Sequence, residues 1–298
     1  MNNRIHYLQC PVCASAEITD VLTVKDYTAG REAFHIIECG NCSLRFTQDV
    51  PDAMSIAPYY KAEDYISHTN TSKGLVNRAY QFVRKRTMIK KRKLIEKYTG
   101  LKKGNLLDVG SGTGSFVNEM KQNNWQVTGL EPDGDARKVA DQLYHLELAD
   151  TKELYQLKQD SFDAITLWHV LEHVHDLHLY IQQLKNLLNK NGKLFVAVPN
   201  YTSRDAEIYE QYWAAYDVPR HLYHFSPKAM NVLMEKSGLK IVKYKPMWYD
   251  SFYISLLSSK YKRGKTNWMA AFFNGLRSNF RAIGNVKKCS SVIYIIEK

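Results

Sequence analysis

Three groups of residues in this chain have the types and spacing to do chemistry. The first lies in Leu-Leu-Asp-Val-Gly-Ser-Gly-Thr-Gly-Ser-Phe at 106–116, where an aliphatic run and Asp108 lead into Gly110, Ser111, Gly112 and Gly114. Glycine permits positive φ and lets a ligand lie on main chain where a Cβ would collide. A helix opening near Ser115 adds unpaired N–H groups at the same place. Twenty-one residues after Gly110, Glu131 closes the run Trp-Gln-Val-Thr-Gly-Leu-Glu, where a carboxylate can accept hydrogen bonds from both ribose hydroxyls. The spacing is GxGxG rather than the GxGxxG of dinucleotide sites. Loop and acid together select a nucleoside.

The second group is rich in histidine. His169, Glu172 and His173 are spaced i, i+3, i+4, which puts them on one face of a turn. Such a face can move a proton, hold a divalent metal, or form a buried structural pair between Glu172 and His173. Farther on, Tyr216, Asp217, Arg220, His221 and His224 crowd one loop. Group transfer to a hydroxyl needs its proton removed, and His221 is the candidate base, with Asp217 beside it. The same loop could be tied down simply by an Asp217–Arg220 contact, with Ser226 capping a helix that starts at Pro227.

The third group is Cys10-Pro-Val-Cys13 and Cys39-Gly-Asn-Cys42, two CxxC turns with 25 residues between them. Two such turns supply four thiolates in tetrahedral geometry and close a structural zinc site; an iron centre of rubredoxin type is the alternative. A segment of about 50 residues has little core, so the metal would do the folding. This small ribbon would serve as a structural cap or recognise an acceptor. Cys289 reads as an apolar residue of the last strand.

The elements that must position these groups follow from periodicity. Residues 1–50 contain short alternating stretches typical of hairpins and form the ribbon. Residues 51–103 hold a polar linker, 57–74, and a basic amphipathic helix, 75–99. Residues 104–298 alternate apolar runs with helical patterns. The expected strands are NLLDV, WQVTGL, HLEL, FDAITLW, GKLFVAV, LKIVKYKP and CSSVIYIIE, with helices near 115–124, 133–143 and 176–189. That rhythm predicts an α/β fold with a doubly wound, mainly parallel seven-stranded sheet. Residues 249–283 form an insertion of two amphipathic helices, expected either as a lid that buries its aromatics or as a membrane-interface element.

The segments LDVGSGTGSF, VTGLEPD, FDAITLWHVLEHVHD, GKLFVAVPN and DVPRHLYHFSP together resemble class I S-adenosylmethionine-dependent methyltransferases, in the group that includes ubiquinone-biosynthesis O-methyltransferases. The resemblance covers residues 105 to about 240. It implies a Rossmann-like fold carrying S-adenosylmethionine, with Asp108, Gly110 and Gly112 along the methionine part, Glu131 on the ribose and Asp150 near the adenine. Some relatives look like metal binders at the positions of His169, Glu172 and His173, but there the residue matching His169 is acidic.

Charge narrows the partners. The chain carries a formal +11, yet 78–103 hold eleven Lys/Arg against Glu96 alone, and 260–288 hold eight against no acid. The rest is therefore net −7, so the basic character belongs to appendages, which could bind RNA phosphates or anionic lipid or be solvated. No apolar run approaches the roughly 20 residues that span a bilayer, and the first residues lack a signal peptide's apolar centre, so a cytoplasmic location is expected. The fourth expected strand runs into LWHV rather than an NPPY-like tetrapeptide, which argues against a nucleic-acid base as acceptor. The expected function is methyl transfer to an oxygen or carbon of a small molecule such as a lipid, quinone or sugar precursor. An RNA methyltransferase, with ribbon and basic helix as a clamp, and a non-catalytic cofactor-binding partner are the alternatives.

Overall fold

The computed structural model describes residues 3–60 and 75–298. The part of the expected linker at 61–74, and the side chains of 75–82, lie outside the described residues. In chain order the elements are β1 Arg4–Ile5, β2 Ile18–Lys25, β3 Ala33–Cys39, β4 Arg45–Thr47, β5 Val50–Pro51 and α1 Leu75–Thr99. There follow β6 Asn105–Val109, α2 Ser115–Gln122, β7 Gln126–Leu130, α3 Gly134–Tyr144, β8 Phe162–Trp168, α4 Leu177–Leu187 and β9 Leu188–Pro199. The last are α5 Arg204–Tyr209, β10 Tyr223–His224, α6 Pro227–Lys236, β11 Lys240–Pro246, α7 Asp250–Arg263, α8 Trp268–Gly284 and β12 Ser291–Glu297.

The largest sheet has the order β11-β12-β9-β8-β6-β7. β6 pairs in parallel with β7 on one side and β8 on the other, placing Asp108 opposite Gly129 and Thr166. β6 and β8 read as nearly continuous apolar runs because strands between helical layers are buried on both faces. Among the described residues the ladders of this mainly parallel sheet join six strands. The expected strand at HLEL makes only an isolated parallel bridge, Leu130 to Ala149. Its leucines, Leu146 and Leu148, pack with Val117 and Ala140 in a small core, and the backbone contact with β7 is confined to Ala149, which donates to the Gly129 carbonyl and accepts from the Glu131 N–H.

By compactness the chain divides into two units. One takes the described part of Met1–Tyr65 with His169–Tyr180 and Ala197–Tyr294; the other takes the described part of Ile66–Trp168 with Ile181–Val196 and Ile295–Lys298.

In the second unit, Ile95 of α1 is buried with Leu106, Phe116, Met120, Trp125, Ala164, Phe195 and Ile295. α1 is thus part of a core, and several of its cations are used internally. Arg92 binds Glu96 at 2.7 Å and Glu119 at 2.8 Å, and the Lys91 ammonium sits 4.1 Å from the centre of the Trp168 ring.

In the first unit, β2 and β3 form an antiparallel hairpin, β3 pairs with β4, and β4 pairs with β10. The cysteine-bearing segment and the histidine loop therefore share one four-stranded sheet and one core. Val24, Phe34, Ile36, Ile56 and Tyr59 are buried against Tyr201, Tyr209, Trp213, Tyr216, Val218 and Ile254.

Candidate active site

The glycine loop is built as the sequence requires. Gly110, Gly112 and Gly114 all have positive φ, at 75°, 54° and 74°. At Gly114 a Cβ would lie 3.0 Å from both the Ala140 Cβ and the Leu146 Cδ1, so the position needs glycine for backbone and for space. The loop is sewn to the end of β7: the Gly110 and Ser111 N–H groups donate to the Leu130 carbonyl at 2.8 and 2.9 Å. Glu131 finishes the stitching. Its carboxylate accepts from the Gly112 N–H at 2.7 Å and from the Asp133 N–H at 3.0 Å. α2 opens at Ser115 with no side-chain cap on its first amides.

Asp108 stands under this loop and is almost wholly buried. Burial pushes its carboxyl up to about 6, against the pull of a 2.5 Å hydrogen bond from the Thr166 hydroxyl and of the nearby Lys91 charge. Asp150 caps the 3-10 turn Thr151–Gln156 through the Lys152 N–H, and its other oxygen lies 3.5 Å from Arg137, which also donates to the Glu131 carbonyl at 2.5 Å. All the sequence-assigned cofactor residues of this unit thus form one connected patch. Sequence reasoning missed Thr166 and Arg137. Thr166 had a signal, a hydroxyl within the buried run 164–167.

In the other unit the histidines assemble around Glu172. His169 has φ of +59°, uncommon for a side chain with a Cβ. Its ring lies between two carboxylates, with Nε2 3.0 Å from Asp250 and Nδ1 3.3 Å from Glu172. Burial opposes its charge, but hydrogen bonds to Asp250 and Glu172 outweigh that and hold the imidazolium up to about 10. Glu172 is fully buried; its carboxylate has His169 as ion partner at 3.3 Å, and its main-chain carbonyl accepts from the Leu222 N–H at 2.8 Å. Burial works against the Glu172 carboxylate, while His169 and the nearby histidines draw it below the usual range.

His173 is the opposite case. Burial, then the neighbouring His221, pushes it down to about 4, so it is neutral near pH 7. Its Nδ1 lies 3.0 Å from the Arg220 carbonyl and 3.0 Å from the Tyr60 hydroxyl. His221 Nδ1 lies 2.8 Å from the Ala215 carbonyl. A carbonyl only accepts, so both rings donate from Nδ1, and the neutral His173 keeps Nε2 as its lone-pair nitrogen. One ligand atom from each of Glu172, His173 and His221 comes within 4.8 Å of the other two. The convergent trio is thus not the His169, Glu172, His173 set that spacing suggested, because His169 turns to Asp250.

The loop that carries His221 is also tied down. Arg220 grips Asp217, as the sequence allowed, and Asp217 lies 3.8 Å from His221 Nε2. Ser226 caps α6 through the Ala229 N–H with Pro227 in its first turn. His224 is buried against the Tyr216 ring, its Nε2 3.0 Å from Thr47 Oγ1, and burial lowers it well below the ordinary histidine range. The ribbon supplies much of the support. Thr47 donates from Oγ1 to the His221 carbonyl at 2.8 Å and from its N–H to the Leu222 carbonyl at 2.9 Å, and Arg45 donates to the Tyr216 hydroxyl at 2.8 Å. Asp250, Tyr60, Thr47 and Arg45 were all invisible to spacing, because each meets its partner across a long stretch of chain.

The four cysteines converge. Sγ of Cys10 and Cys42 are 3.5 Å apart, as are those of Cys13 and Cys39, and all four lie within 4.8 Å of one another. A disulfide needs about 2.05 Å. Tetrahedral zinc with bonds of about 2.3 Å separates its sulfurs by about 3.8 Å, so the donor set fits that ion.

The methyltransferase domain family matches residues 80–244, more than half of the chain. A ubiquinone biosynthesis O-methyltransferase from Glaesserella parasuis is 37% identical over 122 residues, covering 37% of this chain and 51% of the relative. An uncharacterized methyltransferase from Alkaliphilus oremlandii is 31% identical over 107 residues, covering 35% and 50%. The chain thus spans about half the length of the curated relatives it matches. A SAM-dependent methyltransferase structure from Archaeoglobus fulgidus aligns with a TM-score of 0.49 at 16% identity, over 72% of this chain and 94% of that one. With a glycine loop stitched to an acid-tipped second strand, inside a region matched by the family from 80 to 244, the chain belongs to the methyltransferase domain family of class I S-adenosylmethionine-dependent enzymes.

Proposed function

We propose that this protein transfers a methyl group from S-adenosylmethionine to a hydroxyl oxygen of a small-molecule acceptor. One observation carries the reading: Glu131, at the tip of β7, accepts from the Gly112 amide in a loop whose three glycines all take positive φ. Each carboxylate oxygen has two acceptor sites, so holding the loop and holding a ribose are compatible roles for Glu131. Asp108 and the amides of the loop would hold the methionine end, and Asp150 the adenine side. The bound cofactor supplies an electrophilic methyl on a sulfonium.

The chain's own contribution to the acceptor is proton removal. His221 is the base, its Nε2 left as acceptor by the Ala215 carbonyl behind Nδ1. His173, neutral at working pH, is the second group able to take a proton, whereas His169 is held as a cation and stabilises negative charge instead. The four cysteines hold a structural zinc ion, which fixes the sheet edge on which the His221 loop rests. Nucleic acid is disfavoured as acceptor, since Arg92 and Lys91 of the basic helix are engaged within their own unit.

The deciding experiment incubates the protein with methyl-labelled cofactor and separates lipid, RNA and polar-metabolite fractions of the source cell. Label in a lipid or metabolite fraction, with methyl on oxygen, supports the proposal; label confined to RNA, or none despite tight cofactor binding, overturns it.

A further inference from the structure

The two helices of the insertion are packed the wrong way round for a lid. α7 turns Ser251, Ile254, Ser255, Ser258 and Ser259 inward, and α8 buries Ala271, Gly275, Ser278 and Ala282. The inward faces are small because the helices touch closely: a Cβ at Gly275 would stand 2.8 Å from the Phe252 ring. The bulky residues of α8 go outward. Met269, Phe272, Phe273, Leu276, Phe280 and Ile283 fall at i, i+3, i+4, i+7, i+11 and i+14, one stripe on the face of α8 opposite its buried one. Apart from the half-buried Leu276, these side chains are 54–74% exposed. Trp268 and Tyr253, 66% and 60% exposed, extend the patch. The expectation that a lid buries these aromatics is therefore corrected.

A solitary exposed apolar side chain is ordinary, but a continuous stripe of this kind marks a binding surface. Its electrostatics identify the occupant. From Ser251 to Ile296 the chain has no acidic residue, while Lys260, Lys262, Arg263, Lys265, Arg277 and Arg281 lie on the two helices or the turn between them. Arg281 is partly neutralised by Glu207 at 3.2 Å. α8 is 17 residues, about 25 Å, and no helix among the described residues is long and apolar enough to cross a membrane. A helix with a large apolar face, an aromatic at its edge and cations alongside lies in the plane of an anionic bilayer surface.

We infer that the outward face of α7 and α8 docks the protein on anionic lipid membranes, with the Met269–Ile283 stripe entering the acyl boundary and the lysines and arginines meeting headgroup phosphates. This reading stands apart from the proposed methyl transfer. Asp250, the first residue of α7, is the residue that pairs with His169, so the docking element and the histidine cluster share a helix within one unit.

The test is sedimentation of the full-length chain with vesicles of phosphatidylcholine alone and of equal parts phosphatidylcholine and phosphatidylglycerol. The expected result is binding to the anionic vesicles, weakened by salt, with tryptophan emission moving to shorter wavelength in the native protein and much less in Trp268→Tyr. Phe272→Ser with Phe273→Ser and Phe280→Ser should cut binding by about tenfold or more. Lys260→Glu with Lys265→Glu should remove the preference for anionic lipid while leaving the apolar stripe intact. Cofactor affinity, measured by calorimetry, reports that each variant is folded. Sedimentation equal with and without phosphatidylglycerol, or a self-association abolished by the phenylalanine changes in protein that ignores vesicles, overturns the proposal.

Discussion

His169 and Asp250 are joined at 3.0 Å across 81 residues of chain, and with Glu172 on the other ring nitrogen the imidazole becomes an imidazolium between two carboxylates. Its proton affinity in the folded state, about 10, lies above the ordinary 6.5. The pairing therefore adds stability that is complete below about pH 6.5 and fades as pH rises toward 10. Asp250→Asn should lower the pH at which the His169 ring titrates, followed by NMR. It should also reduce the melting temperature most below pH 6.5 and least near pH 10. An unchanged titration would show that Glu172 alone holds the charge.

The loop contacts of Glu131 and the ribose contact proposed for it have separable readouts. Glu131→Ala should weaken S-adenosylmethionine binding by more than about tenfold in calorimetry, as the loss of a charged hydrogen-bond acceptor implies. It also removes the acceptor of the Gly112 and Asp133 amides. Glu131→Gln keeps only one of those oxygens and presents an amide donor to the other N–H, so its loop should exchange hydrogen faster than wild type even without cofactor.

Asp108 should make the cofactor-free protein prefer acid. Its carboxyl is raised from 3.8 to about 6 by burial, so the folded state favours the protonated form. The resulting stability is complete below pH 3.8 and lost as pH rises through about 6. Asp108→Asn keeps an acceptor for Thr166 without the charge; it should raise the melting temperature of the cofactor-free protein at pH 7.5 more than at pH 4.5 while lowering cofactor affinity.

Gly114→Ala meets two obstacles at once, a φ of +74° and contacts of 3.0 Å with Ala140 and Leu146. It should cost about 1–3 kcal/mol in chemical denaturation and weaken the cofactor. Gly100 has the same φ with nothing near it, so Gly100→Ala should cost less and leave cofactor binding unchanged.

The ribbon should act on the histidine loop through β4. Cys39→Ser should release one zinc per chain, measured by elemental analysis. Its effect should reach the Thr47 and Leu222 amides, because Thr47 binds the His221 and Leu222 carbonyls and β4 pairs with β10. Hydrogen exchange at 45–47 and 221–224 should accelerate while that at 105–109 does not. Zinc release with unaltered exchange there would separate the ribbon from the loop.

The alternation of short apolar runs with helical patterns in the sequence located strands β6 to β9, α1 to within its ends, and both insertion helices. The glycine loop, the CxxC turns and the Ser226–Pro227 helix start were legible for the same reason: each rests on turn or capping chemistry within a few residues. HLEL failed because its composition suits a strand but its leucines had a better burial site with Val117 and Ala140. Composition cannot rank two ways of burying the same side chain.

What the sequence alone determined, then, is the chemistry carried by neighbours in the chain: a nucleoside loop with its acid, four thiols in two pairs, and a histidine-rich turn. Only the tertiary structure decided which partner each takes, giving Asp250 to His169, the Ala215 and Arg220 carbonyls to His221 and His173, and the ribbon edge to the loop at 221–224. It also decided which side of α8 faces out. Helical periodicity reports that two faces differ, but which is buried depends on the space left by α5 and α7, where α8 turns in Ala271, Gly275, Ser278 and Ala282 and a Cβ at Gly275 would meet Phe252.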